Sequence, residues 1–454
     1  MTFHVSLSEL GRILDRPESD RGSYPPDLPL SGITTDSRIV QPGQIFLALR
    51  GESFDGHDFV NSAIDRGASA VIVDRPIPGE FPREVPRLIV EDTLASYQKI
   101  ARWWRDRFSI PVVAVTGSVG KTTTKELISA VLGTGGNVHK TTANYNNEIG
   151  VPKTLLELDG SHDSAVIEMG MRGTGEIALL ARIARPTIAV ITNVGTAHIG
   201  RLGSEEAIAA AKCELLAEMP DTGIAIFPRD NPLLQQAAAR VWKGETLTYG
   251  LESGDLVGRL VAPDVVRVDG RDFPLPLPGR HNAINYLAAI AVAKVLGYDL
   301  TPLTGRIAVD LPGGRSKQYR LEPDILLLDE TYNAGLESML AALELLKETN
   351  GTRHIAVLGA MKELGEFSGE LHRRVGERAK KLGIDRLFVL VDDPAASAIA
   401  EGSSGIETEC FPDRDSLTER LRETLRPGDR VLLKASHSVG LNRIVESLVS
   451  PVDR

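Results

Sequence analysis

Short apolar runs separated by amphipathic stretches recur along nearly the whole chain. IFLAL (45–49) and AVIVD (70–74) read as buried strands. Between them Phe59, Val60, Ala63 and Ile64 fall at helical spacing, and Gly67 can end that helix. The proline-rich stretch from Pro76 to Pro86 predicts an exposed connection. A helix ending near Trp103 and Trp104 then leads into the strand PVVAVTG (111–117), with a further helix from about 121. AVIEM (165–169) and TIAVITN (187–193) continue the alternation of strands and helices. From about 246 to 277 the period becomes β-type around Asp269-Gly270, a hairpin turn, before the helical pattern NAINYLAAIAVAKVLG (282–297). ILLLD (325–329), HIAVLG (354–359), RLFVLV (386–391) and RVLLKA (430–435) alternate with helices near 337–348, 368–382 and 415–425.

Strands alternating with helices over short connections predict parallel sheets covered on both faces. The expected fold class is α/β, in three domains. A smaller N-terminal α/β domain spans 1–90, a doubly wound parallel sheet 91–312, and a Rossmann-like sheet without G-x-G-x-x-G 313–454. In such sheets ligands bind beyond the carboxyl ends of the strands, so the residues just after each strand are the ones to inspect.

Composition narrows the function. A net charge of −10 argues against a general nucleic-acid binder, which needs a basic surface, but leaves room for a small anion in a locally positive pocket. Arg102, Arg105 and Arg107 read as one solvated helix face. Cys213 and Cys410 lie far apart without metal-ligand spacing, which suits a reducing compartment. The N-terminus has no signal-peptide pattern, and no apolar run approaches the roughly 20 residues that span a bilayer. A cytoplasmic protein is expected.

The sharpest motif is Thr116-Gly117-Ser118-Val119-Gly120-Lys121-Thr122-Thr123, set between a strand and a helix. Glycines there let backbone N–H groups turn toward phosphate oxygens, and the helix N-terminus adds positive potential. Lys121 would reach the β- and γ-phosphates, and the Thr122 hydroxyl would coordinate Mg²⁺. Val115 stands where the eight-residue Walker pattern has its first glycine. Glu168, at a strand end beside this loop, is a candidate metal ligand or a solvated rim residue. Lys212 shares a helix face with Ile208 and Leu215, and spacing alone favours a lysine snorkelling along an apolar stripe. Asn282 reads as a helix cap, and Asn285 on the same face offers a second amide to a purine. Asp329, Thr331-Tyr332-Asn333 and Lys434-Ala435-Ser436 follow strands of the third domain, and Arg315 lies in the turn before it. Singly these are ordinary strand-end polar residues.

Together and in this order, the motifs resemble the Mur ligases of peptidoglycan synthesis over nearly the whole chain. The resemblance rests on TTDSRIVQPGQIFLALRGESFDGHDFV (34–60), TGSVGKTTTKE (116–126), NYNNEIGVPKTLLEL (144–158) and VIEMGMRGTGEI (166–177). It continues in PGRHNAINYLAAIA (278–291), DETYNAGLESMLAAL (329–343), GAMKELGEFSGELHRRVG (359–376) and KASHSVGLNRIVE (434–446). Within the family it is nearest the branch that joins D-alanyl-D-alanine to UDP-N-acetylmuramoyl-tripeptide. The resemblance implies a UDP-binding first domain with Ser37 and Arg38 as contacts, and an ATP-binding second domain in which Asn144 and Asn147 position acceptor peptide or metal. It implies two Mg²⁺ ions, with His198 and a carbamylated Lys212 as ligands beside Thr122 and Glu168. Asn282 and Asn285 would face adenine, Asp329 the ribose and Arg315 the γ-phosphate. Tyr332, Asn333, Lys434 and Ser436 would line the dipeptide side. Ala360 departs from the acidic residue many relatives carry there. The implied activity is ATP-dependent amide-bond formation through an acyl phosphate, by a monomer. Sister ligases of Mur or folylpolyglutamate type are the near alternatives, and a P-loop switch without synthetic activity is the distant one.

Overall fold

The computed structural model describes residues 2–16, 24–77 and 85–449. Much of the proline-rich connection expected at 76–86 lies outside them. Three parallel or mixed sheets carry the fold, in sequence order. The first has four parallel strands, Ile33–Thr34, Ile45–Leu47, Ala70–Val73 and Arg87–Ile89. The helix expected between the second and third of these is Val60–Asp65, and Gly67 after it has a φ of 102°, as a helix-ending glycine should. A short antiparallel pair, Val5–Ser6 with Pro29–Leu30, precedes this sheet; two-residue strands leave no periodicity to read.

The central sheet has nine strands. Val112–Thr116 lies between Ser164–Glu168 and Ile188–Ile191, all parallel and all buried, which explains their unbroken apolar sequences. Val265–Val268 and Arg271–Pro274 close the far edge as a hairpin. Its turn residues Asp269 and Gly270 both have positive φ, 49° and 77°, the backbone that a two-residue hairpin loop requires. Against this sheet the helices Lys121–Leu132 and Arg280–Val295 pack on each other.

The third sheet has five parallel strands, in the order Ile325–Asp329, Asp429–Lys434, Arg353–Leu358, Arg386–Leu390 and Glu407–Phe411. Lys317–Leu321 adds an antiparallel edge. That edge strand and Glu407–Phe411 escaped sequence reading because they are half polar, as edge strands tend to be. The described helices include none long and apolar enough to cross a membrane.

The arginine trio is not a solvated face. Arg105 is buried, its guanidinium donating to the carbonyls of Ala184, Phe108 and Arg185, and burial lowers its pKa. Arg107 lies beyond the helix and stacks on Trp103 at 4.1 Å. Arg102 and Arg107 are both exposed, as expected, and Arg105 is the departure.

Candidate active site

The carboxyl ends of the central strands open into a cleft of about 1120 Å³ walled by all three sheets. Thr34 and Asp36 come from the first, the 118–123 loop from the second, and Arg315, Tyr332 and Lys434 from the third.

The glycine loop is built as its sequence requires. Gly120 precedes the helix with φ 81°, and a Cβ there would stand 3.0 Å from Asn285 Oδ1. The segment after Ile188–Ile191 braces the loop: Asn193 Oδ1 accepts from Val119 N–H at 3.0 Å, and Thr192 Oγ1 donates to Val119 O at 2.6 Å. Lys121 Nζ donates to the carbonyls of Gly117 (2.7 Å) and Ser118 (3.3 Å), and burial lowers its pKa. Gly117 itself lies behind the lining, where a Cβ would fall 1.9 Å from Thr192 Oγ1. Because that hydroxyl is already committed to the loop, Gly117→Ala should cost about 1–3 kcal/mol of stability. It should also weaken nucleotide binding at least tenfold; thermal melts and a fluorescent ATP analogue measure both.

Glu168 ends its strand 1% exposed, so the rim reading fails. Asn146 Nδ2 donates to its Oε1 at 2.7 Å, while its buried Oε2 has no hydrogen-bond partner and lies 3.9 Å from Lys125 Nζ. A buried carboxylate oxygen left unsatisfied beside a phosphate loop suits a hard cation. No group of three His, Cys, Asp or Glu side chains forms a ready-made metal cage among the described residues. Thr122 and His198 also line the cleft. His198 adopts φ 68°, and its pKa is lowered by burial and by the nearby Lys121.

Lys212 does not snorkel. Its helix, Glu205–Ala217, is capped by Ser204, whose Oγ accepts from Ala207 N–H, and Lys212 is 1% exposed on the buried face. It stands behind the cleft wall, and burial together with Lys121 pushes its pKa well down.

Asn282 is not a cap: the helix begins at Arg280 after Gly279, which makes no side-chain capping bond. Asn282 and Asn285 instead both line the cleft, linked by a 3.4 Å hydrogen bond. Asn144, Asn147, Tyr332 and Asn333 line it too, with Asn147 Oδ1 accepting from Gly150 N–H at 2.9 Å. Arg315 stacks 4.0 Å over Tyr332, its buried Nε unpartnered. Lys434 Nζ donates to Asn333 O at 2.8 Å, and burial lowers its pKa.

Besides Gly117 and Lys212, four expected contacts are not on the lining. Asp329 Oδ1 accepts from Thr331 N–H and Oγ1 on the far side, while Glu330, one residue on, faces the cleft. Successive strand residues face opposite ways, so one position decides the face. Ser37 and Arg38 are also off the lining, and Arg38 turns its exposed guanidinium to Asp36 at 2.7 Å, which holds that carboxyl down at about 2. Ser436 instead accepts from Lys362 N–H at 3.0 Å and so pins the 360–362 segment. Sequence reading missed Asn146, His281, Glu337 and Glu363. All four lie inside quoted stretches, but only the fold shows which neighbours they meet.

Family models agree with this plan. The Mur ligase middle domain matches residues 115–293, the Mur ligase glutamate ligase domain 314–437, and the Mur ligase family catalytic domain 29–102. The chain belongs to the Mur ligase family, on its MurF branch. A UDP-N-acetylmuramoyl-tripeptide–D-alanyl-D-alanine ligase of Synechocystis sp. is 58% identical over 99% of both chains. The crystal structure of MurF from Acinetobacter baumannii aligns over 99% of both chains, with TM-score 0.88 and 30% identity. MurF of Thermotoga maritima, solved with ADP, covers 92% of this chain and 96% of its own, with TM-score 0.81 and 33% identity. As a Mur ligase the chain is an ATP-dependent ligase. The three matched segments are the three walls of the cleft.

Proposed function

We propose that this Mur ligase joins D-alanyl-D-alanine to UDP-N-acetylmuramoyl-tripeptide, yielding the pentapeptide precursor of peptidoglycan, ADP and phosphate. The observation that carries the reading is one cleft holding a phosphate loop, a first-domain wall and cations from the third domain. The boundaries near residues 91 and 313 divide it into a uridine-diphosphate-binding domain, an ATP-binding domain and a dipeptide-binding domain. The chain is read as a monomer.

The tripeptide's terminal carboxylate oxygen attacks the γ-phosphorus of ATP, and ADP leaves with the bridging oxygen. Lys121 and Arg315 lie where negative charge spreads in that step, and preformed cations there favour the transition state over the ground state. The Tyr332 ring beneath Arg315 fixes the direction of its guanidinium. A free carboxylate is a poor acyl donor; the acyl phosphate carries a good leaving group. The dipeptide's neutral amine adds to the acyl carbon, the tetrahedral adduct expels phosphate, and the amine proton passes to phosphate or solvent. Asn333 and Lys434 stand on the side this amine would enter, and the paired amides of Asn282 and Asn285 suit adenine. Thr122, Glu168, His198 and a carbamylated Lys212 would hold two Mg²⁺ ions, which neutralise phosphate charge when bound. Enclosure by the third domain keeps water from the acyl phosphate.

The test is phosphate release with Mg-ATP and UDP-N-acetylmuramoyl-tripeptide, with and without D-alanyl-D-alanine, and the product weighed by mass spectrometry. A pentapeptide formed only with the dipeptide is expected. Turnover with a single amino acid instead would reassign the chain to a sister ligase.

A further inference from the structure

Two loops from different sheets meet face to face at His198 and Glu363, residues 165 apart in the chain. His198 Nδ1 lies 2.6 Å from Glu363 Oε2, and the other carboxylate oxygen accepts from Arg201 at 3.3 Å. The backbones approach as closely, with Gly200 N–H donating to Glu363 O at 3.2 Å. A Cβ on Gly200 would stand 2.5 Å from Gly365 N, so only glycine permits this contact. Both His198 and Glu363 hold left-handed backbone, φ 68° and 63°, an unfavourable state that tends to persist at functional sites. Core packing does not explain Glu363, whose side chain is 34% exposed.

We propose that Glu363 is a positioning residue for His198: the third domain supplies the carboxylate that fixes this imidazole for metal binding. The inference rests on the reading of His198 as a Mg²⁺ ligand. A carboxylate accepting from Nδ1–H keeps the ring's proton on that nitrogen and leaves the Nε2 lone pair as the one available to a cation. His198 lines the cleft, so an oriented ring presents that nitrogen to the site. Because Glu363 comes from the third domain, the histidine is held only when that domain is docked. Metal affinity and enclosure of the reaction are thereby coupled through one hydrogen bond.

Mn²⁺ binding to the full chain with a non-hydrolysable ATP analogue, followed by electron paramagnetic resonance, tests this without turnover. Glu363→Ala should weaken one Mn²⁺ site by about 10–100-fold and leave the other unchanged. Glu363→Gln, whose carbonyl still accepts from Nδ1–H, should fall in between. His198→Ala should lose the same site outright. Arg201→Ala is the control for docking alone, since Arg201 lies off the cleft lining and donates to Glu363 Oε1 at 3.3 Å across the same two domains without touching His198; its affinities should stay within about twofold. Wild-type binding in Glu363→Ala beside a lost site in His198→Ala would overturn the proposal and leave the histidine reading standing. Unchanged binding in His198→Ala would overturn both, and equal losses in Arg201→Ala and Glu363→Ala would overturn the proposal by making docking the cause. Thermal melts of each variant confirm that the fold is kept.

Discussion

Lys121→Ala should lower ATP-dependent phosphate release roughly a thousandfold, with the fold intact. The amine is held over the loop by the carbonyls of Gly117 and Ser118 at 2.7 and 3.3 Å, within the space phosphate oxygens would enter. A cation fixed there stabilises charge that grows only as the γ-phosphoryl group moves, so the loss belongs mainly to kcat. A thousandfold corresponds to about 4 kcal/mol of barrier, within what a preorganised charge in an enclosed site supplies. Lys121 is a partly buried cation whose desolvation, with repulsion from Arg315, outweighs its attraction to Glu168, so removing it should leave the melting temperature unchanged or raise it. Arg315→Ala should act on the same charge. The double variant should therefore lose less than the product of the two single losses, since each cation acts where the other already does. Single-turnover phosphate release, with ATP-analogue binding measured separately, decides it. A Lys121→Ala enzyme within tenfold of wild type would show that the loop merely binds nucleotide.

The loop was legible because everything that defines it is local: a buried strand, two glycines, a lysine and a helix start within a dozen residues. The buried strands of the central and third sheets were legible for a similar reason, since parallel strands covered on both faces must be apolar throughout. What failed was decided at finer grain or at longer range. Asp329 and Glu330 differ by one position, and which of them faces the cleft depends on how the strand sits in its sheet. Asn282 resembles a cap until the helix is seen to begin two residues earlier, at Arg280. Lys212 has the spacing of a snorkelling lysine, and only the depth of packing around its helix separates that from burial. Glu363 lies in a stretch whose family likeness was plain, but its partner His198 is brought to it by contact between two domains. No periodicity encodes such a contact.

Lys212→Ala should cost roughly two to three orders of magnitude in ligation while leaving the chain at least as stable. The lysine is 1% exposed, and no carboxylate lies within ion-pair distance of its amine among the described residues. An ammonium there would be desolvated and repelled by Lys121, which is why its pKa is driven well below the ordinary lysine value. More of the amine is thus neutral than in an ordinary lysine, and a neutral amine can add to carbon dioxide: a C–N bond forms, a proton departs, and a carbamate results. Charge then changes sign, turning repulsion by Lys121 into attraction and giving a hard cation an anionic oxygen ligand. As pH falls through the lowered pKa the amine takes up a proton and carbamate is lost, so activity should decline on the acid side and recover with added bicarbonate. In Lys212→Ala bicarbonate should do nothing, whereas a small carboxylate such as acetate, able to occupy the vacated space, should restore part of the rate. Wild-type protein equilibrated with ¹³C-bicarbonate should show a carbamate carbon resonance that the variant lacks. If that resonance is missing and acetate gives no rescue, Lys212 is a buried amine and not a ligand for a cation.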